Sequence, residues 1–219
     1  MRLLMVLTSH ERLGATDKKT GLWFEEFAGP YYAFLDAGAE IALATPKGGY
    51  APVDPESDGP ASGSVSLARF RHDRQARAAL NDTLQLAQIH AEDFSGAFYP
   101  GGHGSLWDLA ADPCSITLIK TLHAAGKPAA FLCHGVAALL NTSLVNGKHV
   151  TGYSNAEVTH AGLNDVLPFA LEDELKKRGG LYSSRGIGQP HVVRDGALIT
   201  GQNHASTAET AAALLAALR

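Results

Sequence analysis

Two cysteines in 219 residues cannot form a disulfide framework, and a chain this long buries enough apolar surface to fold without one. Cys114 and Cys133 read as free thiols, which suits a reducing, cytoplasmic setting. Long apolar runs are also missing. Nothing approaches the roughly 20 residues of a membrane-spanning helix, and Met1-Arg2-Leu3-Leu4-Met5-Val6-Leu7 falls short of a signal peptide's apolar region plus cleavage site, so it is expected to be a buried strand. Positive charge is scarce as well: with a net charge of −4 the chain has no basic stripe for nucleic-acid phosphates. Arg69, Arg71, Arg74 and Arg77 cluster around Asp73 without an aromatic stacking ladder and read as a solvated face. The ten histidines show no His-x-x-x-His or comparable ligand spacing, and no metal centre is expected.

What is present is an alternation of short apolar runs with helical patterns. The runs at Leu3–Leu7, Ile41–Ala44, Gly96–Tyr99, Ala129–Leu132, Val192–Val193 and Ala197–Thr200 lack polar alternation, as strands covered on both faces do. Helices are expected around Leu22–Ala37, Ile116–Ala125, Val136–Asn141, Val166–Arg178 and Thr207–Leu218. The sum predicts one doubly wound α/β domain over 1–219, a mainly parallel sheet between helices, with an insertion at about 47–90. Lys47–Gly63, rich in Gly, Pro and Asp, predicts an irregular excursion, and Phe70–Leu86 a helix beyond it. Asp195-Gly196 between two apolar runs predicts a β-hairpin over 192–200.

Residues just after parallel strands are where chemistry is sought. The run Ala129-Ala130-Phe131-Leu132 stops at Cys133-His134-Gly135, a strand, a sharp turn carrying a nucleophile and a helix start. A thiol there meets a helix dipole and unpaired N–H groups, which favour a thiolate and an adjacent oxyanion. An inert buried cysteine is the competing reading. Gly135 lets the turn tighten and a substrate approach. Pro100-Gly101-Gly102-His103-Gly104 offers further N–H groups, and a phosphate cradle is its rival reading, although neither G-x-G-x-x-G nor G-x-x-x-x-G-K-[ST] is present. In Leu22-Trp23-Phe24-Glu25-Glu26-Phe27, adjacent carboxylates point about 100° apart on a helix, so one can turn inward and stay protonated beside a thiol. Two solvated carboxylates are the alternative.

Seven motifs then stand in order: Lys19-Thr20-Gly21-Leu22-Trp23-Phe24-Glu25-Glu26, Thr45-Pro46-Lys47-Gly48-Gly49, Pro100-Gly101-Gly102-His103-Gly104, Cys133-His134-Gly135, Val150-Thr151-Gly152-Tyr153, Leu171-Glu172-Asp173-Glu174-Leu175 and Thr200-Gly201-Gln202-Asn203. Together they resemble the ThiJ/PfpI superfamily with its glutamine-amidotransferase-like fold, and within it the branch of glutathione-independent glyoxalases (glyoxalase III) and related heat-shock chaperones. The resemblance implies Cys133 as nucleophile, Glu26 as the carboxyl bonded to it, His134 as acid/base and Glu157 as the residue orienting His134, with Asp165 as a competing acid. It places the oxyanion donors at the N–H groups of Gly102 and His134, with Gly101, Gly102 and His103 lining the substrate pocket. Two positions depart from the pattern: Val136 stands where proline is common, and Asn203-His204 stands where Asn-Pro is usual.

The implied reaction is conversion of methylglyoxal or a related 2-oxoaldehyde to a hydroxy acid, a lyase reaction of the D-lactate dehydratase type, without metal, flavin or glutathione. A homodimer is implied too. A Cys-dependent amidase or peptidase is the rival enzyme class, although glutamine amidotransferases carry a late His-x-Glu pair and here Ala205-Ser206 follows His204. The non-enzymatic alternative is a redox-responsive holdase that binds unfolded client proteins. Cys114 has no adjacent base and reads as inert.

Overall fold

The structure, a computed structural model, describes residues 1–59 and 63–219. Strands β1 (Arg2–Val6), β2 (Glu40–Thr45), β3 (Leu84–Gln85), β4 (Gly96–Tyr99) and β5 (Ala129–Leu132) join β8 (Val192–Asp195) and β9 (Leu198–Gly201) in one sheet, ordered β3-β2-β1-β4-β5-β9-β8. Every pairing is parallel except β8 with β9, the hairpin whose turn holds Gly196 at φ 65°. Strands β6 (His149–Val150) and β7 (Leu181–Tyr182) form a separate parallel pair.

Side chains alternate across a strand, and that period sorts the core into two halves. Leu4, Val6, Tyr99 and Phe131 face one way, toward Leu118, Ile119 and Leu122 of α4 (Pro113–Ala124). Leu3, Met5, Phe98 and Leu132 face the other, toward Phe27 and Phe34 of α1 (Phe24–Asp36) and Leu214 of α7 (Thr207–Ala217). Both faces are covered at the centre of the sheet, so β4 and β5 and the Leu3–Val6 part of β1 are unbroken buried runs, as the sequence pattern predicts, whereas the edge strands β3 and β8 carry Gln85, Arg194 and Asp195. No helix is long and apolar enough to cross a membrane among the described residues.

Three expected helices differ. Phe70–Leu86 divides into α2 (Val65–His72) and α3 (Arg74–Asn81), because Asp73 takes an extended conformation and its carboxylate caps α3 by accepting from the N–H groups of Gln75 and Ala76. The chain then runs into β3, which pairs with Ala44 and Thr45 and extends the sheet edge. Helix α6 begins only at Leu171 and ends at Lys177; Pro168 disfavours helical geometry at the residue before it. Val136–Asn141 is not an α-helix but part of a 3-10 turn over Cys133–Leu139, buried at all seven positions. Within the irregular excursion, Val53 pairs with Leu22 and Asp54 caps a 3-10 turn at Pro55–Asp58; residues 60–62 lie outside the described part. Arg69 and Arg71 reach Asp36 and Asp58 on an exposed face.

Candidate active site

The loops after β4 and β5 lie side by side at the carboxyl edge of the sheet, because those strands are parallel neighbours. Cys133 follows β5 with φ 56°, a left-handed conformation that costs a residue with a Cβ on the order of 1–3 kcal/mol. Gly135 holds the turn against the neighbouring loop: a Cβ there would lie 2.5 Å from the Pro100 carbonyl oxygen and 2.6 Å from that of Tyr99. The missing side chain thus serves close backbone contact within the protein rather than substrate approach.

Glu26 enters from the first turn of α1 and is 1% exposed, whereas Glu25 is half-buried and meets Ser64. Its Oε2 accepts the Gly101 N–H at 2.9 Å, and its carboxyl bonds the Cys133 thiol. Gly101 has no room for a side chain, since a Cβ would lie 2.6 Å from that of Cys133 and against the Glu26 carboxyl. Burial pushes the Glu26 pKa up to about 8, against the pull of its bonds to Cys133 and Gly101. At neutral pH the carboxyl is mostly protonated.

The thiol is also protonated at rest. Burial first, then Glu26, raises its pKa well above the ordinary value, and the His134 N–H opposes this without reversing it. The expected resting thiolate is therefore absent: the groups against the sulfur are a carboxyl and a neutral imidazole, and the dipole comes from a short 3-10 turn. His134 Nδ1 lies 3.6 Å from Sγ, and burial, then His103, holds its pKa well below the usual range. Its ring stands 4.4 Å from that of Tyr153 and 4.9 Å from that of His103. Cys133, Glu26, His134, His103, Gly102, Trp23 and Tyr153 line a cavity of about 150 Å³, which suits a molecule of a few carbons. Among the described residues no three His, Cys, Asp or Glu side chains gather as metal ligands.

A buried cysteine in a left-handed turn at the end of a central parallel strand, with a carboxyl bonded to it, is a family-level arrangement, and the sequence profile of the DJ-1/PfpI family matches residues 24–217. The chain belongs to the DJ-1/PfpI family. It is 26% identical to glyoxalase 3 of Candida albicans over 99% of this chain and 98% of that protein. It is 25% identical to the glutathione-independent glyoxalase HSP31 of Saccharomyces cerevisiae, over 100% and 98%. Among solved structures, Rapid Encystment Protein 24 kDa of Francisella tularensis superposes with a TM-score of 0.95 at 33% identity, covering 100% of this chain and 99% of that one.

In this DJ-1/PfpI protein Glu157 does not bond His134. Its Oε2 accepts from Ser154 Oγ at 2.7 Å and Gln202 Nε2 at 2.9 Å, and its Oε1 from Asn203 Nδ2 at 2.7 Å and the Gly188 N–H at 3.2 Å. Burial works to raise the Glu157 pKa, but these bonds together hold it below the ordinary value, while His134 Nε2 is buried without a partner among the described residues. Asp165 is exposed and does not line the cavity; His204 is exposed too, on the outer groove between α1 and α7.

The carboxylate–imidazole pair instead occurs at His103, whose Nδ1 lies 3.2 Å from Asp54 Oδ2. Asp54 also accepts from Thr20 Oγ1 at 2.7 Å and from the Glu56 N–H at 2.9 Å. Asp54 has no role in the sequence reading. The signal that could have found it is its position one residue before Pro55, where aspartate caps a helical turn.

Proposed function

We propose that the protein is a glutathione-independent glyoxalase that converts methylglyoxal, or a 2-oxoaldehyde of similar size, to a hydroxy acid. The observation that carries this reading is the Cys133 thiol bonded to a protonated Glu26 inside a cavity of about 150 Å³. The names and full-length coverage of the Candida and Saccharomyces relatives support it.

Sulfur attacks the aldehyde carbon, the thiol proton passes by way of His134 Nδ1 to the aldehyde oxygen, and a hemithioacetal forms. The Gly101 N–H is engaged by Glu26, and the oxyanion donors that the family resemblance implies are the N–H groups of Gly102 and His134. Glu26, after releasing its own proton to solvent, removes the proton from the former aldehyde carbon and returns it to the adjacent carbon, and it regains a solvent proton at the end of the cycle. A proton leaves one oxygen and enters the other through an enediol, which gives a 2-hydroxyacyl thioester on Cys133. Water cleaves the thioester to the hydroxy acid and restores the thiol. The sum is one aldehyde and one water in, one hydroxy acid out, with no change of oxidation state overall.

The test is purified protein with methylglyoxal, without glutathione or added metal, followed by both aldehyde loss and lactate formation. Lactate from the parent and from neither Cys133→Ala nor Glu26→Gln is the expected result. Aldehyde loss without lactate would reduce the chemistry to adduct formation and overturn the reading.

A further inference from the structure

The two histidines of the cavity are not equivalent. His134 has its Nδ1 on the sulfur and, among the described residues, no carboxylate behind it, whereas His103 is backed by a carboxylate that Thr20 and a backbone N–H fix in place. Burial works to raise the Asp54 pKa, but the bonds from His103, Thr20 and Glu56 hold it below the ordinary value. An ionised carboxylate only accepts, so Nδ1 is the ring nitrogen that bears hydrogen in this pair, and in the neutral tautomer it selects the lone pair falls on Nε2. The ring is 8% exposed, lines the cavity and stands 4.9 Å from His134. An imidazole oriented by a carboxylate, with a free nitrogen toward a confined nucleophile, is the arrangement that activates water or a hydroxyl.

We infer that Asp54 and His103 form the deacylating pair of the site, with His103 as the catalytic base toward water and Asp54 as its positioning residue. The inference rests on the reading of Cys133 as the nucleophile and divides the labour between the histidines. His134 serves the thiol during addition, and His103 serves water after the thioester has formed. In the step, Nε2 takes one proton from water as its oxygen bonds the acyl carbon. The tetrahedral intermediate collapses, the carbon–sulfur bond breaks with its electron pair on sulfur, and the Nε2 proton passes to sulfur, directly or through His134. Acid, neutral imidazole and thiol result.

Two acyl donors test this. Methylglyoxal generates the acyl group by isomerisation, and p-nitrophenyl acetate acylates a thiol directly, whether or not the protein is a glyoxalase. With His103→Gln, a burst of about one nitrophenolate per site is expected, followed by steady turnover lowered roughly 100-fold or more. Acid quench should show acetyl-Cys133 by mass spectrometry. With methylglyoxal the same variant should accumulate a Cys133 adduct that hydroxylamine releases as lactohydroxamate. Asp54→Asn should accumulate the same species, because the amide no longer enforces the Nδ1–H tautomer, and Asp54→Glu should recover part of the turnover. Iodoacetamide labelling of Cys133 at the parent rate shows that the variant pocket is intact, and Asp54→Asn carries the test if His103→Gln does not fold. Deacylation of acetyl-Cys133 by His103→Gln within threefold of the parent would overturn the inference, as would lost turnover with no acyl-enzyme. A parent that hydrolyses the acetate ester through His103 yet makes no lactate would overturn the glyoxalase reading alone.

Discussion

Glu26 and Gly101, 75 positions apart in the chain, meet through an N–H to carboxylate-oxygen bond of 2.9 Å, and that bond joins the helix after β1 to the loop after β4 at the thiol. Gly101 donates to Glu26 Oε2, and the same carboxyl bonds Cys133, so it is held between the two loops. Pro30, one helical turn later, has no N–H to offer the Glu26 carbonyl.

Glu26→Gln separates two effects of this carboxyl. The amide cannot shuttle a proton, and methylglyoxal turnover is expected to fall about 100-fold or more. The amide also carries no negative charge, which removes one cause of the raised thiol pKa. The midpoint of the rate–pH profile for iodoacetamide labelling of Cys133 should move to lower pH while turnover disappears.

The same residue couples stability to pH. The folded Glu26 pKa of about 8 stands above its ordinary value of 4.5, so between these values the folded chain holds a proton that the unfolded chain has released. The Glu26 contribution therefore weakens as pH rises through that window, by up to about 1.4 kcal/mol per pH unit, and levels off above it. Urea unfolding from pH 5 to 9 should show Glu26→Gln gaining on the parent up to about pH 8 and running parallel beyond. A constant difference would contradict the raised pKa.

Gly101→Ala places a methyl group 2.6 Å from the Cys133 Cβ and 2.9 Å from the Leu132 carbonyl oxygen. A loss of about 1–3 kcal/mol in unfolding free energy is expected from such overpacking. Turnover should fall with it even where the protein remains folded, because the methyl also meets the Glu26 carboxyl.

Glu157→Ala strips the acceptor from Ser154, Gln202, Asn203 and Gly188 together. Each buried donor left unpaired costs about 1–3 kcal/mol, less where water or a shift restores a bond. A substantial fall in thermal stability is expected, with iodoacetamide labelling of Cys133 at low temperature close to the parent rate. A labelling rate that collapses while stability holds would show that Glu157 acts on His134 after all.

The strands were legible because burial on both faces writes an unbroken apolar run, and β4 and β5 stand where such runs occur. Cys133 and Gly101 were legible because a strand that ends in Cys-His-Gly or Pro-Gly-Gly announces its own turn. The break at Asp73 was less visible, since an aspartate inside a helical pattern reads equally as a surface residue or as a cap. The partnership of Asp54 with His103 spans 49 positions and has no local signature. Glu157 is instructive in the other direction: its place in the chain was marked, yet its partners come from the distant residues Gln202 and Asn203, which only the fold brings beside it.

Because carboxyl, thiol and imidazole all rest in their neutral forms, the folded chain keeps the Cys133 thiol quiet in neutral solution. A stretch of the same chain released by unfolding would expose an ordinary cysteine, more easily alkylated than the native one. Reactivity toward bystander electrophiles is thereby lower in the folded chain than in the unfolded one, because burial beside Glu26 holds the Cys133 proton in place.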